Sequence, residues 1–176
     1  MDFLEIMQTY FRGERTEAFF YILPAGLLLL GMAATAVVSD RGGFGWGMGG
    51  PLVLGGLLFV VVGISVGARA PAQVEQLERA YEEDPAAMLA QEVPRMEAVN
   101  ANWPRIVTIW AAFVVVGLVI RFASSAEWAH GVGPALIMIG AIGLFVDGYA
   151  LRRAQPYTAA LDALAAETAA APGTSP

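Results

Sequence analysis

Cysteine and lysine are both absent from the 176 residues, and histidine occurs once. Without cysteine there is no disulfide, no thiolate nucleophile and no cysteine-held zinc or iron-sulfur centre. A single histidine, His130, beside Trp128 and Glu127, cannot build a closed metal site, which takes three or four protein ligands. Basic charge is scarce as well: the net charge is -6. A nucleic-acid binder needs a basic surface to replace phosphate counterions, so that class is excluded, and so is a polybasic lipid-binding patch. The sequence has no Gly-x-Ser-x-Gly elbow and no His-Glu-x-x-His pair. The glycine-rich run at 40–50 lacks the Gly-Lys-Ser/Thr ending of a phosphate loop. No enzyme activity, cofactor or metal is expected.

What is abundant is apolar. Hydrophobic residues make up 57% of the chain and the mean hydropathy is +0.58, above the roughly 45–50% usual in soluble domains. The fold class expected is an all-α integral membrane protein whose four transmembrane helices form two hairpins, with amphipathic helices in the cytoplasm. The spans fall at 18–38, 51–68, 104–122 and 132–151, with a polar helical insert at 69–105 between the second and third. A C-terminal helix is expected at 156–169 and a disordered tail at 171–176, and the whole of 1–170 reads as one domain. Ala34-Thr35-Ala36 resembles a signal-peptidase site, but the apolar run before it exceeds an h-region, so an uncleaved anchor is expected.

Local signals refine this. Phe3, Met7, Tyr10 and Phe11 form one stripe, which suggests a short N-terminal helix lying in the interface and ending near Gly13. Pro24 invites a kink in the first span. Asp40 to Gly50 reads as a flexible connector. Gly56, Gly63 and Gly67 share a face that permits close helix approach. Asp84-Pro85 reads as an N-cap followed by a proline at the first helical position, and Pro104 as the first turn of the third span. Arg12, Arg15, Arg69, Arg79, Arg95, Arg105, Arg152 and Arg153 lie on one side of the spans, against Arg41 and Arg121 on the other. That bias puts both termini and the insert in the cytoplasm. The all-arginine basic complement with abundant Ala and Gly points by association to a high-GC bacterial genome, hence to the inner membrane.

Gly50-Pro51 and Gly133-Pro134 open the second and fourth spans, and each span ends in Arg-Ala followed by Pro. Val74-Leu77-Tyr81 and Tyr157-Leu161-Leu164 then form comparable amphipathic stripes. One reading is a hairpin duplicated in the same orientation; the other is common membrane punctuation.

Two candidate sites follow. Asp147 is the one ionisable residue inside a span and shares a face with Gly140 and Gly143. Its place near the cytoplasmic end suits a structural acid bonded to another helix, for example to Arg69, and a proton- or cation-handling role is the alternative. Leu77, Tyr81, Met96 and Trp103 are the apolar residues of the insert that would meet a membrane or cytosolic protein partner. The expected function is a non-catalytic accessory or assembly component, with a small homo-oligomeric transporter or channel using Asp147 as the alternative. Lipid is the expected surroundings in both.

Overall fold

In the computed structural model, which describes residues 2–170, every regular element is helical. The first rod comprises α1 (Phe3–Glu17), a π-helical turn (Ala18–Ile22) and α2 (Leu23–Ser39). The other three rods are single helices, α3 (Gly43–Glu83), α4 (Pro85–Ala123) and α5 (Glu127–Ala170). The four rods have 37, 41, 39 and 44 residues, and each is long and apolar enough to cross a membrane. At 1.5 Å per residue they run about 55–65 Å, roughly twice a hydrocarbon core. Each rod therefore serves two storeys of one helical bundle.

The apolar storey has a core of Ile22, Leu29, Ala33, Leu52, Phe59, Ala135, Ile139 and Val146. Its large outward side chains are exposed from Phe20 to Val38 on the first rod and from Phe44 to Ile64 on α3. On the other two rods they run from Val107 to Phe122 and from Trp128 to Tyr149. The polar storey is built around Phe3, Met7, Tyr10, Phe11, Met88, Leu89, Met96, Tyr157 and Leu161. None of its large hydrophobic side chains is exposed among the described residues. The N-terminal stripe read from the sequence is thus the keystone of this second core.

Helix packing in the apolar storey runs through glycine. A Cβ on Gly26 would lie 2.7 Å from the Val60 backbone nitrogen and 2.8 Å from the Gly56 oxygen, so α2 and α3 touch backbone to backbone. One on Gly117 would lie 2.7 Å from the Gly133 oxygen and 3.0 Å from the Ile137 nitrogen, the same relation between α4 and α5. Gly63 against Leu23 and Gly140 against Val114 repeat the match two turns further on.

Several local expectations give way to longer helices. The chain does not stop at Gly13; the helix continues, and the glycine is there because the Arg153 stem crosses where a Cβ would sit. Ahead of Pro24 the chain takes a π turn, with Leu23 N–H donating to the Ala18 oxygen, so the ladder widens before a residue that cannot donate. The glycine run is not a flexible connector. Only Asp40–Gly42 turns; the Asp40 carboxylate accepts from Gly42 N at 2.7 Å and Gly45 N at 3.1 Å. Gly45 then packs on Ala36, and Gly47 on Trp128.

The insert at 69–105 is helical, as expected, but it does not form separate helices. Its halves are the ends of α3 and α4, which carry straight on from the apolar storey with Pro71, Pro94 and Pro104 inside them. All three prolines are on exposed faces. Pro104 is therefore mid-helix and opens no turn. Pro156 likewise leaves α5 unbroken, so the C-terminal helix is the end of the fourth rod. The one break in the insert is at Asp84, whose Oδ1 accepts from Ala86 N and Ala87 N, both at 3.0 Å, ahead of Pro85. That cap is the one read from the sequence. The tail at 171–176 lies outside the described residues.

Candidate functional site

Polar chemistry gathers at the junction of the storeys and just above it. On α1, Glu17 is the last residue before the π turn, and its side chain is 6% exposed. Arg153 of α5 donates to Glu17 Oε2 and lies over the Tyr10 ring, 5.5 Å from its centroid. One turn up α1, Glu14 meets Arg69 of α3 at 3.5 Å. Burial pushes the Glu17 carboxyl above its ordinary range, against the pull of Arg153; the charges of Asp147 and Glu14 add to the rise.

Above this level the polar storey buries a second pair. Arg95 grips Glu92 with two bonds, Nε to Oε2 at 2.7 Å and a terminal nitrogen to Oε1 at 2.5 Å. The Tyr157 hydroxyl donates to Glu92 Oε1 at 2.8 Å. Glu92 is 4% exposed, and the bonds satisfy its charge. Its hydrogen bond holds the Arg95 guanidinium above the usual arginine range. Burial, then the Glu92 charge, pushes the Tyr157 phenol well up, and burial does the same for Tyr10. Both phenols stay neutral at physiological pH.

Asp147 sits deeper, half-buried on α5, where it accepts a hydrogen bond from the Trp110 indole of α4. Its partner is therefore an uncharged donor rather than Arg69, which is taken by Glu14. The Trp110 ring also fills the space opened by Gly143 and stacks on Phe59 of α3, with centroids 5.9 Å apart.

The four partner candidates of the insert fall in different places. Met96 is in the polar core and presents nothing outward. Leu77 and Tyr81 are half-buried against that core, with Tyr81 tilted over Phe3 at 5.2 Å. Trp103 is half-buried between α4 and α5 in a groove of about 620 Å³. Leu77 also lines an open seam of about 540 Å³ between α3 and α4, together with Gln73, Gln76, Met88 and Gln91. Along the other contacts of the polar storey, α1 packs on α3 and α5, and α4 packs on α5.

Glu17, Arg153, Glu92 and Tyr157 were not singled out as a site by the sequence. Their pairing joins residues 136 and 65 positions apart. The one signal available was that Glu17 abuts an apolar run. Among the described residues no group of His, Cys, Asp and Glu is arranged to hold a metal ion. Compared with protein-family models, with curated proteins and with solved structures, the chain has no significant match in any of the three.

Proposed function

We propose that this chain is a multi-pass protein of the bacterial inner membrane, inserted as two hairpins, that acts without catalysis as an accessory or assembly component through its cytoplasmic storey. The exposed apolar residues support the membrane reading. They form a belt about 22–32 Å tall on each rod, close to the ~30 Å of a hydrocarbon core. Arginine bias supports placing the polar storey and both termini in the cytoplasm. The matching glycine contacts of α2 with α3 and of α4 with α5 favour a parallel duplication, in a register different from the Gly-Pro alignment.

The observation that carries the interaction reading is the open seam between α3 and α4. In the polar storey this seam sets apolar Leu77 and Met88 beside amides and the rim acids Glu83 and Asp84, a more polar lining than that of the groove at Trp103. Such a seam fits a partner's segment. Purification in mild detergent from the native membrane should bring down a defined protein, and Ala87→Trp, which fills the seam from an exposed position, should lose it while the fold is kept. A protein recovered alone as a homo-oligomer moves the weight to transport. The second reading, a small oligomeric transporter or channel, is favoured by Asp147, an acid in the apolar storey held by an indole instead of a cation.

A further inference from the structure

On the side of the polar storey, the belt of exposed apolar residues ends at Phe20 on the first rod, Ile64 on α3, Val107 on α4 and Tyr149 on α5. The stretches just outside that edge are 12–19, 65–72, 99–106 and 150–157. Their exposed charged residues are Arg12, Arg15, Arg69, Arg105 and Arg152, with no exposed carboxylate among them. The acids of the same stretches, Glu14 and Glu17, have side chains only 14% and 6% exposed and are paired with Arg69 and Arg153.

Direct contacts set the rods at one height. Arg153 of α5 reaches Glu17 of α1, and Arg69 of α3 reaches Glu14. Asn100 of α4 donates to Thr158 of α5 at 3.0 Å, and Arg105 and Arg152 lie five and six residues from that bond toward the belt. At the helical rise, all five exposed arginines fall about 3–12 Å outside the belt. A headgroup layer is about 5–8 Å deep on each face, within reach of a guanidinium on its long stem. Because every rod contributes, the arginines form a collar around the bundle.

The acids are placed elsewhere. Glu75 and Glu78, next along α3, are taken by Arg79 and Gln8. Glu5, Glu82, Glu83 and Asp84 are exposed toward the far tip of the polar storey, where Phe3 packs on Tyr81. Glu83 is about 28 Å beyond Ile64 along α3. At the opposite rim of the belt, Asp40 and Glu127 balance Arg41 and Arg121. The net charge of -6 speaks against a lipid-binding patch only as an average; the fold separates the two signs along the rods.

We propose that this collar binds the phosphates of anionic phospholipids in the leaflet it faces, so that the protein gathers such lipids around itself. Arginine stays charged at any physiological pH, and its fork of donors matches phosphate oxygens. The arrangement selects lipid as the occupant. An annulus of headgroups meets all four rods just outside the apolar belt, whereas a protein segment would need its charges on one face. The same anionic surface repels the acidic tip, which holds the polar storey away from it. This inference rests on the membrane reading and holds for an accessory component and a transporter alike.

The test uses the full chain in vesicles of phosphatidylcholine with a minor share of phosphatidylglycerol, and spin-labelled versions of the two lipids as probes. The ratio of their motionally restricted fractions reads the preference. At low salt phosphatidylglycerol should be held about threefold or more over phosphatidylcholine. In about 1 M salt, where charges act over only ~3 Å, the ratio should fall toward one. Arg12→Gln, Arg15→Gln, Arg105→Gln and Arg152→Gln together should bring it near one at low salt, while Arg41→Gln with Arg121→Gln should leave it unchanged. Arg69 is kept because it holds Glu14. Should the fourfold variant lose its helical circular dichroism, the pairs Arg12→Gln/Arg15→Gln and Arg105→Gln/Arg152→Gln should each lower the ratio part of the way. A chain that does not float with the vesicles defeats the membrane reading and the collar with it. A floated, folded chain with a ratio near one at low salt overturns the collar alone, as does a preference that the collar variants leave intact or that the opposite-rim variant abolishes. Loss of a co-purifying protein from the collar variant, with no lipid preference in the unaltered chain, would assign the arginines to a protein partner instead.

Discussion

Tyr157 is the residue on which the polar storey converges. It is fully buried, stacks on Tyr10 at 4.7 Å, meets Phe11 edge-on at 6.0 Å and donates to Glu92. Tyr157→Phe keeps the ring and removes the donor, so the folded protein should lose about 1–3 kcal/mol in a denaturant titration. The pH dependence has a definite sign. With the Tyr157 and Tyr10 phenols both raised, the native state holds protons that the unfolded chain releases near pH 10. Stability is therefore full below about pH 10 and falls as pH rises beyond it; Tyr157→Phe should flatten that fall in alkaline melts. At this scale the sequence revealed stripes and hid pairings. Phe3, Met7, Tyr10 and Phe11 were legible because helical periodicity exposes them. Glu92 looked no different from Glu97, because what buries Glu92 is a hydroxyl brought from another rod.

Glycine governs the elements. The close contacts at Gly26 and Gly117 leave no room for a methyl group, since the atoms met are backbone. Gly26→Ala and Gly117→Ala should each destabilise by about 1–3 kcal/mol in unfolding from mixed micelles. Gly31→Ala and Gly148→Ala, where nothing lies within 4 Å of the added carbon, should be neutral or stabilise by up to about 1 kcal/mol. Equal losses at all four positions would mean that the helices do not approach in this register. The same residue explains an error of reading. Asp40–Gly50 resembled a linker because its glycines look flexible in isolation, whereas Gly45, Gly47 and Gly49 are there for contact with Ala36, Trp128 and Val37. Prolines misled for a related reason. A proline at a helix start and one on the outer face of a continuing helix look alike until the rods are seen to run through.

For the whole molecule, four long apolar helices were legible from hydropathy alone, and the second storey was not. Its core draws on all four rods, and no single segment carries more than a partial stripe. Limited trypsin digestion probes it well, because arginine is the only cleavage residue in the chain. The intact protein should resist cutting at Arg79 and Arg95 despite the polarity of the insert. Deleting residues 2–12, which removes Phe3, Met7, Tyr10 and Phe11 from the core, should open both sites within minutes. Resistance unchanged by the deletion would mean that α1 is no part of that storey. The two turns at the far end of the rods have a further consequence. Asp40–Gly42 and Ser124–Ala126 are each only three residues long, so during biosynthesis, on the proposed topology, little more than these crosses the bilayer. The folded mass stays on the side where it was made, and insertion needs to carry only Asp40, Arg41, Arg121, Glu127 and their few neighbours past the lipid.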